Sequence, residues 1–187
     1  MSVETAEGSA GGSEAALTAR ALSHLVIEAD DLAIADFYRD ALGFTAAGSD
    51  LIAECGASVA LNAAGGGLLV VSRRTGRPDL SATGVHHAIA VGPKTRERIA
   101  GALLSEGIEV KTCKEDRPAE AGDNFYFTDP AGNRVQIVTR AGLDGGPPAL
   151  DHAAVQVANM WWAEVFYTQT LACAVEHRVG WKTEDYS

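Results

Sequence analysis

The run Leu22-Ser23-His24-Leu25-Val26-Ile27 returns as Val85-His86-His87-Ala88-Ile89-Ala90 and again as Leu150-Asp151-His152-Ala153-Ala154-Val155. A histidine stands third in each copy, at His24, His87 and His152. Self-similarity at a fixed period is the mark of a chain built from repeated units, and it decides the fold before any single motif does. Each copy is an apolar run of strand length, followed by a polar break and then a helical pattern.

The helical patterns agree with one another. After Asp30 and Asp31, either of which can cap a helix start, Ile34, Phe37, Tyr38 and Ala41 form one apolar stripe that stops at Gly43. The second helix carries Ile99, Ala102 and Leu103 and stops at Gly107; the third carries Trp162, Val165 and Phe166, with Tyr167 beside them. All three stripes are expected to face a core. Strand-like runs follow at Leu51 to Glu54, Ser58 to Asn62 and Leu68 to Ser72, and in the second unit at Ile108 to Thr112, Asn124 to Thr128 and Arg134 to Thr139. The order is strand, helix, three strands, twice over.

The expected organisation is a disordered tail over residues 1–19, two paired modules over 20–141, a Gly- and Pro-rich linker over 142–149, and an incomplete third module over 150–187. After its helix the third module offers one clear strand, Ala174 to Val179. Unpaired strand edges are a liability, so either the chain is a fragment of a longer protein or a second copy covers that edge, as in a homodimer.

Composition removes several function classes. The 187 residues carry a formal charge of −10 with no basic cluster, which disfavours nucleic acid as a partner. No apolar run is long enough for a membrane helix, so no membrane role is expected. The start lacks the basic and apolar segments of a signal peptide, leaving the cytoplasm as the default. Cys55, Cys113 and Cys173 form no CxxC pair and are expected to be reduced and mostly buried.

The most specific segment is Phe125-Tyr126-Phe127-Thr128-Asp129-Pro130-Ala131-Gly132-Asn133-Arg134-Val135-Gln136. Its Pro fixes φ, Gly132 suits a positive φ, and Asp129 and Asn133 can bond nearby backbone, so a tight hairpin is expected. With the repeated histidine strands, this segment resembles the vicinal-oxygen-chelate superfamily of glyoxalases, bleomycin-resistance proteins and extradiol dioxygenases. The resemblance implies an α+β fold of repeated βαβββ modules paired into a cup-shaped mixed sheet with helices outside. It also implies a divalent metal (Fe, Mn, Zn or Ni) held by His24, His87 and the position of Gln136.

Strand alternation puts His24, Val26 and Glu28 on one face, and His87, Ile89 and Val91 on one face, with His86 opposite as a structural or surface residue. Glu28 is the candidate base within the cup. Gln136 is a neutral ligand where the family has a carboxylate, and Leu68-Leu69-Val70-Val71 offers none in the first module. In extradiol dioxygenases the first two modules are often non-catalytic, and under that likeness His152 would be the first iron ligand. The opening around Asp151, His152 and Trp162 also resembles 4-hydroxyphenylpyruvate dioxygenase-like enzymes. The expected function is a metal-dependent dioxygenase or glyoxalase-like reaction on a small molecule with adjacent oxygens. The alternatives are a metal-free drug-binding resistance protein with the same cup, and a structural domain.

Overall fold

The computed structural model describes residues 22–48, 58–76, 85–112 and 124–176. The expected tail at 1–19 and the expected strand at Leu51 to Glu54 lie outside them. The chain divides into two compact units, one spanning Leu22–Gln156 and another that includes Val157 onward.

In the first of these units, β1 (His24–Ala29) leads through a turn into α1 (Ile34–Phe37), which continues as a π-helical turn over Tyr38–Leu42. The Asp31 carboxylate accepts from the Ala33 amide at 2.9 Å, and Gly43 ends the helix at φ 91°. Then come β2 (Thr45–Ala46), β3 (Ser58–Asn62) and β4 (Leu68–Arg73). The second repeat gives β5 (His86–Val91), α2 (Pro93–Ser105), β6 (Phe125–Thr128) and β7 (Arg134–Thr139). Expected strand 108–112 is reduced to a single bridge between Lys111 and Tyr126.

The first sheet has the order β1-β4-β3-β2, with β1 parallel to β4 and the rest antiparallel. In the second sheet β5 is parallel to β7 and β6 antiparallel to it, so both repeats have the same core topology. One face of each sheet meets the helices in a common apolar core that includes Ile27, Tyr38, Leu69, Ile89, Leu103 and Phe125. We call the opposite faces the cup faces.

The strand expected to open a third module, β8 (Ala149–Ala154), pairs antiparallel with β5 and completes the second sheet as β6-β7-β5-β8. Residues 142–149, expected as a linker, are tied down. Asp144 accepts from the amides of Lys94 and Thr95 at 3.0 and 3.2 Å, capping α2, and the Ala64 amide donates to Pro148 O at 2.7 Å.

The other unit contains α3 (Met160–Val165), capped by Asn159, and a π-helical turn over Phe166–Thr170. Its stripe was expected to face a core, but Trp162 and Phe166 are exposed; no strand of the same unit lies among the described residues to pack beneath them. Residues 174–176 form no strand, and the remainder of that expected strand lies outside the described residues. Cys173 is an unbridged thiol and only half-buried. Among the described residues no helix is long and apolar enough to cross a membrane.

Candidate functional site

The hairpin between β6 and β7 shows what the Asp-Pro-x-Gly-Asn turn does. Gly132 has φ 89°, and Asp129 Oδ1 accepts from the amides of Ala131 and Asn133 at 2.9 and 2.7 Å. Asp129 is buried, and its other oxygen accepts from Tyr38 Oη at 2.8 Å and Asn133 Nδ2 at 3.0 Å. Asn133 Nδ2 also lies 3.2 Å from Glu28 O, and Arg74 Nη2 donates to Ala131 O at 2.8 Å. The turn therefore fastens the second repeat to the helix and first strand of the first. Burial, the Asp129 charge and the bond to it all hold the Tyr38 hydroxyl well above its ordinary pKa.

His87 belongs to this network. It was expected to share the cup face with His24, and that expectation is corrected: its side chain is buried on the core face, with Nε2 3.3 Å from Tyr38 Oη. Burial, and secondarily His86, lower its pKa from 6.5 to about 4, so it is neutral near pH 7. Tyr38 gives its one proton to the acceptor-only carboxylate of Asp129, so the contact with His87 requires Nε2 to carry the hydrogen. The reason for the reversal is side-chain size. Ile89 and Val91 alternate with Ala88 and Ala90, and the larger pair fills the core beneath the helices, carrying His87 with it.

His86 consequently faces the cup. The register across the second sheet aligns Lys111, Tyr126, Gln136, Ala88 and His152 on that face, one from each successive strand or bridge. His86 and Arg134, two residues before Ala88 and Gln136 respectively, share it. The side chains touch: His86 packs edge-on against both Tyr126 (ring centroids 5.2 Å apart) and His152 (5.5 Å), and the Arg134 guanidinium lies 4.7 Å from the centre of the Tyr126 ring. Among the described residues Gln136 Oε1 has no hydrogen-bond partner, and it is buried. A bulge between Ala88 and Ile89 sets Asp151 beside His152, whose Nδ1 lies 2.8 Å from Asp151 Oδ2; Arg140 Nε holds the same carboxylate at 3.0 Å. In a neutral imidazole a carboxylate there favours the tautomer with the proton on Nδ1, which leaves Nε2 as an acceptor.

His24 and Glu28 lie on the cup face of the first sheet, His24 Nδ1 being 3.0 Å from Ser23 Oγ. The structure thus brings Gln136 and His152 onto one face of one sheet, sets His24 and Glu28 on the other sheet, and turns His87 away. Sequence reasoning passed over Lys111, Tyr126 and Arg134. The signal was there in part, since a hairpin at Asp129–Asn133 sets Tyr126 opposite Gln136.

The divalent metal implied by the family does not fit this donor set. Among the described residues no three His, Cys, Asp or Glu side chains are placed to hold a metal ion. Two imidazoles and an amide carry no negative charge, and Lys111 and Arg134 on the same face oppose a dication.

Two paired units of this topology, each with a strand and helix followed by antiparallel strands, are the architecture that the sequence resemblance implies. Residues 21–137 match the family model of the Glyoxalase/Bleomycin resistance protein/Dioxygenase superfamily, and the chain belongs to that superfamily. Among solved structures it is similar to Oxidase ChaP-H2, at 26% identity over 68% of this chain and 98% of that one, with a TM-score of 0.52. It is similar in fold to Oxidase ChaP-H1, at 23% identity over 65% and 97% of the chains and a TM-score of 0.50. No curated protein matches.

Proposed function

We propose that the chain is an enzyme that binds a small molecule through two adjacent oxygens on the cup face of the second sheet and takes a proton from it, without a resident metal. The observation that carries this is His152, with Nδ1 held by Asp151 and its ring against His86. In the step, an O–H bond of the bound molecule breaks, its electron pair stays on oxygen, and the proton passes to His152 Nε2. The anion that forms stays beside the imidazolium that His152 has become, and that pairing of opposite charges lowers its energy. His152 takes the role expected of Glu28, because Glu28 stands on the other sheet from the two imidazoles. The likeness to Oxidase ChaP-H2 supports an enzyme over a passive carrier.

The second reading is a metal-free binding protein, which the neutral Gln136 favours. 4-Nitrocatechol separates the two, because its ionised form absorbs visible light. Titrated into the chain below its own pKa, it is expected to develop the anion band on binding and to lose it in His152→Gln. Binding without the band means the carrier; no binding overturns both readings.

A further inference from the structure

A cavity of about 430 Å³ opens at the outer border of the same sheet, lined by Lys111, Thr112, Tyr126, Thr128 and Arg134 among others. Its chemistry differs from that of the histidine end. Two cations line it: the Arg134 guanidinium lies over the Tyr126 ring, and Lys111 pairs with Tyr126 through the backbone. Glu109 answers Lys111 at 3.3 Å from an exposed position, and no carboxylate pairs with Arg134 among the described residues. Thr112 also lines the cavity, its Oγ1 buried and without a hydrogen-bond partner among the described residues. A chain of net charge −10 gathers cations in a concave place against its average.

From these residues we infer that the cavity is a carboxylate subsite, and that the ligand is a planar acid whose adjacent oxygens lie at the far end from its carboxylate. This rests on the proposed function for the histidine end. A guanidinium takes a carboxylate through two parallel hydrogen bonds, and Lys111 adds charge without demanding direction. Tyr126 stands between the two ends, touching His86 on one side and Arg134 on the other, and so fixes the spacing between them. The row from Lys111 to His152 crosses four strand spacings, roughly 19 Å between backbones, and the rings of Tyr126 and His86, 5.2 Å apart, stand within that span. A carboxylate next to the adjacent oxygens would be too short to engage both ends.

Calorimetric titration of the full chain with 3,4-dihydroxybenzoate, its methyl ester and 2,3-dihydroxybenzoate tests this. The 3,4-acid is expected to bind at least tenfold more tightly than its ester, and the 2,3-isomer no better than the ester. The preference should shrink with added salt, vanish in Arg134→Gln and survive in part in Arg134→Lys. If circular dichroism shows Arg134→Gln to be unfolded, Lys111→Gln, at the sheet border, replaces it and should reduce the preference. Equal binding of the 3,4-acid and its ester overturns the subsite and leaves the histidine site standing. Failure of all three probes to bind overturns both.

Discussion

The buried imidazole of His87 makes the stability of this protein depend on pH in a defined window. Its pKa falls from 6.5 to about 4 on folding, so between those values the unfolded chain binds a proton that the folded chain refuses. Stability contributed by this group is complete above pH 6.5 and is lost as pH falls towards 4, with little further loss below. Each pH step of one is worth 1.36 kcal/mol, so acidification from pH 7 to pH 4 is expected to remove about 3 kcal/mol through His87 alone. Carboxylates titrate over the same range, and the comparison must cancel them. Replacing His87 by Leu leaves the Tyr38 to Asp129 bond in place and removes the titrating ring. Urea denaturation of both proteins at pH 7 and pH 4 should show the wild type losing about 3 kcal/mol more than His87→Leu. Equal losses would refute the placement of a neutral imidazole in this core.

Tyr38→Phe removes a buried hydrogen bond to a charged group and leaves His87 Nε2 without its partner, so a loss of about 2 kcal/mol is expected by the same denaturation measurement. A Cβ on Gly92 would collide with the Asp144 carboxylate and backbone nitrogen, so Gly92→Ala should displace the α2 cap and cost about 2 kcal/mol, read as a lowered midpoint with an unchanged slope. Elemental analysis after dialysis against Fe, Mn, Zn or Ni should give well under one ion per chain; a stoichiometric ion lost in His86→Ala or His152→Ala would overturn the metal-free reading.

The fold was legible because repetition and turn chemistry are local signals. Ser58–Asn62 and Arg134–Thr139 occupy the strands read from the sequence, the first helix ends at Gly43, and Gly132 adopts the positive φ expected of it. The site was harder to read because it depends on parity and on register. Two adjacent histidines at 86 and 87 satisfy either facing, and matching the third position of each repeat selects His87. The sizes of Ala88 and Ala90 against Ile89 and Val91 decide for His86. Lys111, Tyr126 and His152 become neighbours of Gln136 and Ala88 only through strand pairing, which no single segment encodes. The antiparallel docking of β8 on β5 belongs to the same class: it is a long-range choice made by the sheet.

The fastening of Asp129 to Tyr38 exists once, although the chain repeats its module. The corresponding hairpin of the first repeat, Ala63-Ala64-Gly65-Gly66-Gly67, has no carboxylate to offer. The two halves are thus a plug and a socket, and no longer interchangeable copies. Two first repeats brought together would have no plug. Two second repeats would bury an acid with nothing to receive it, since Tyr38 belongs to the first. A duplicated unit that diverged in this way has acquired orthogonality: each half recognises its unlike sibling, and exchange between like halves of different molecules is disfavoured from within the core.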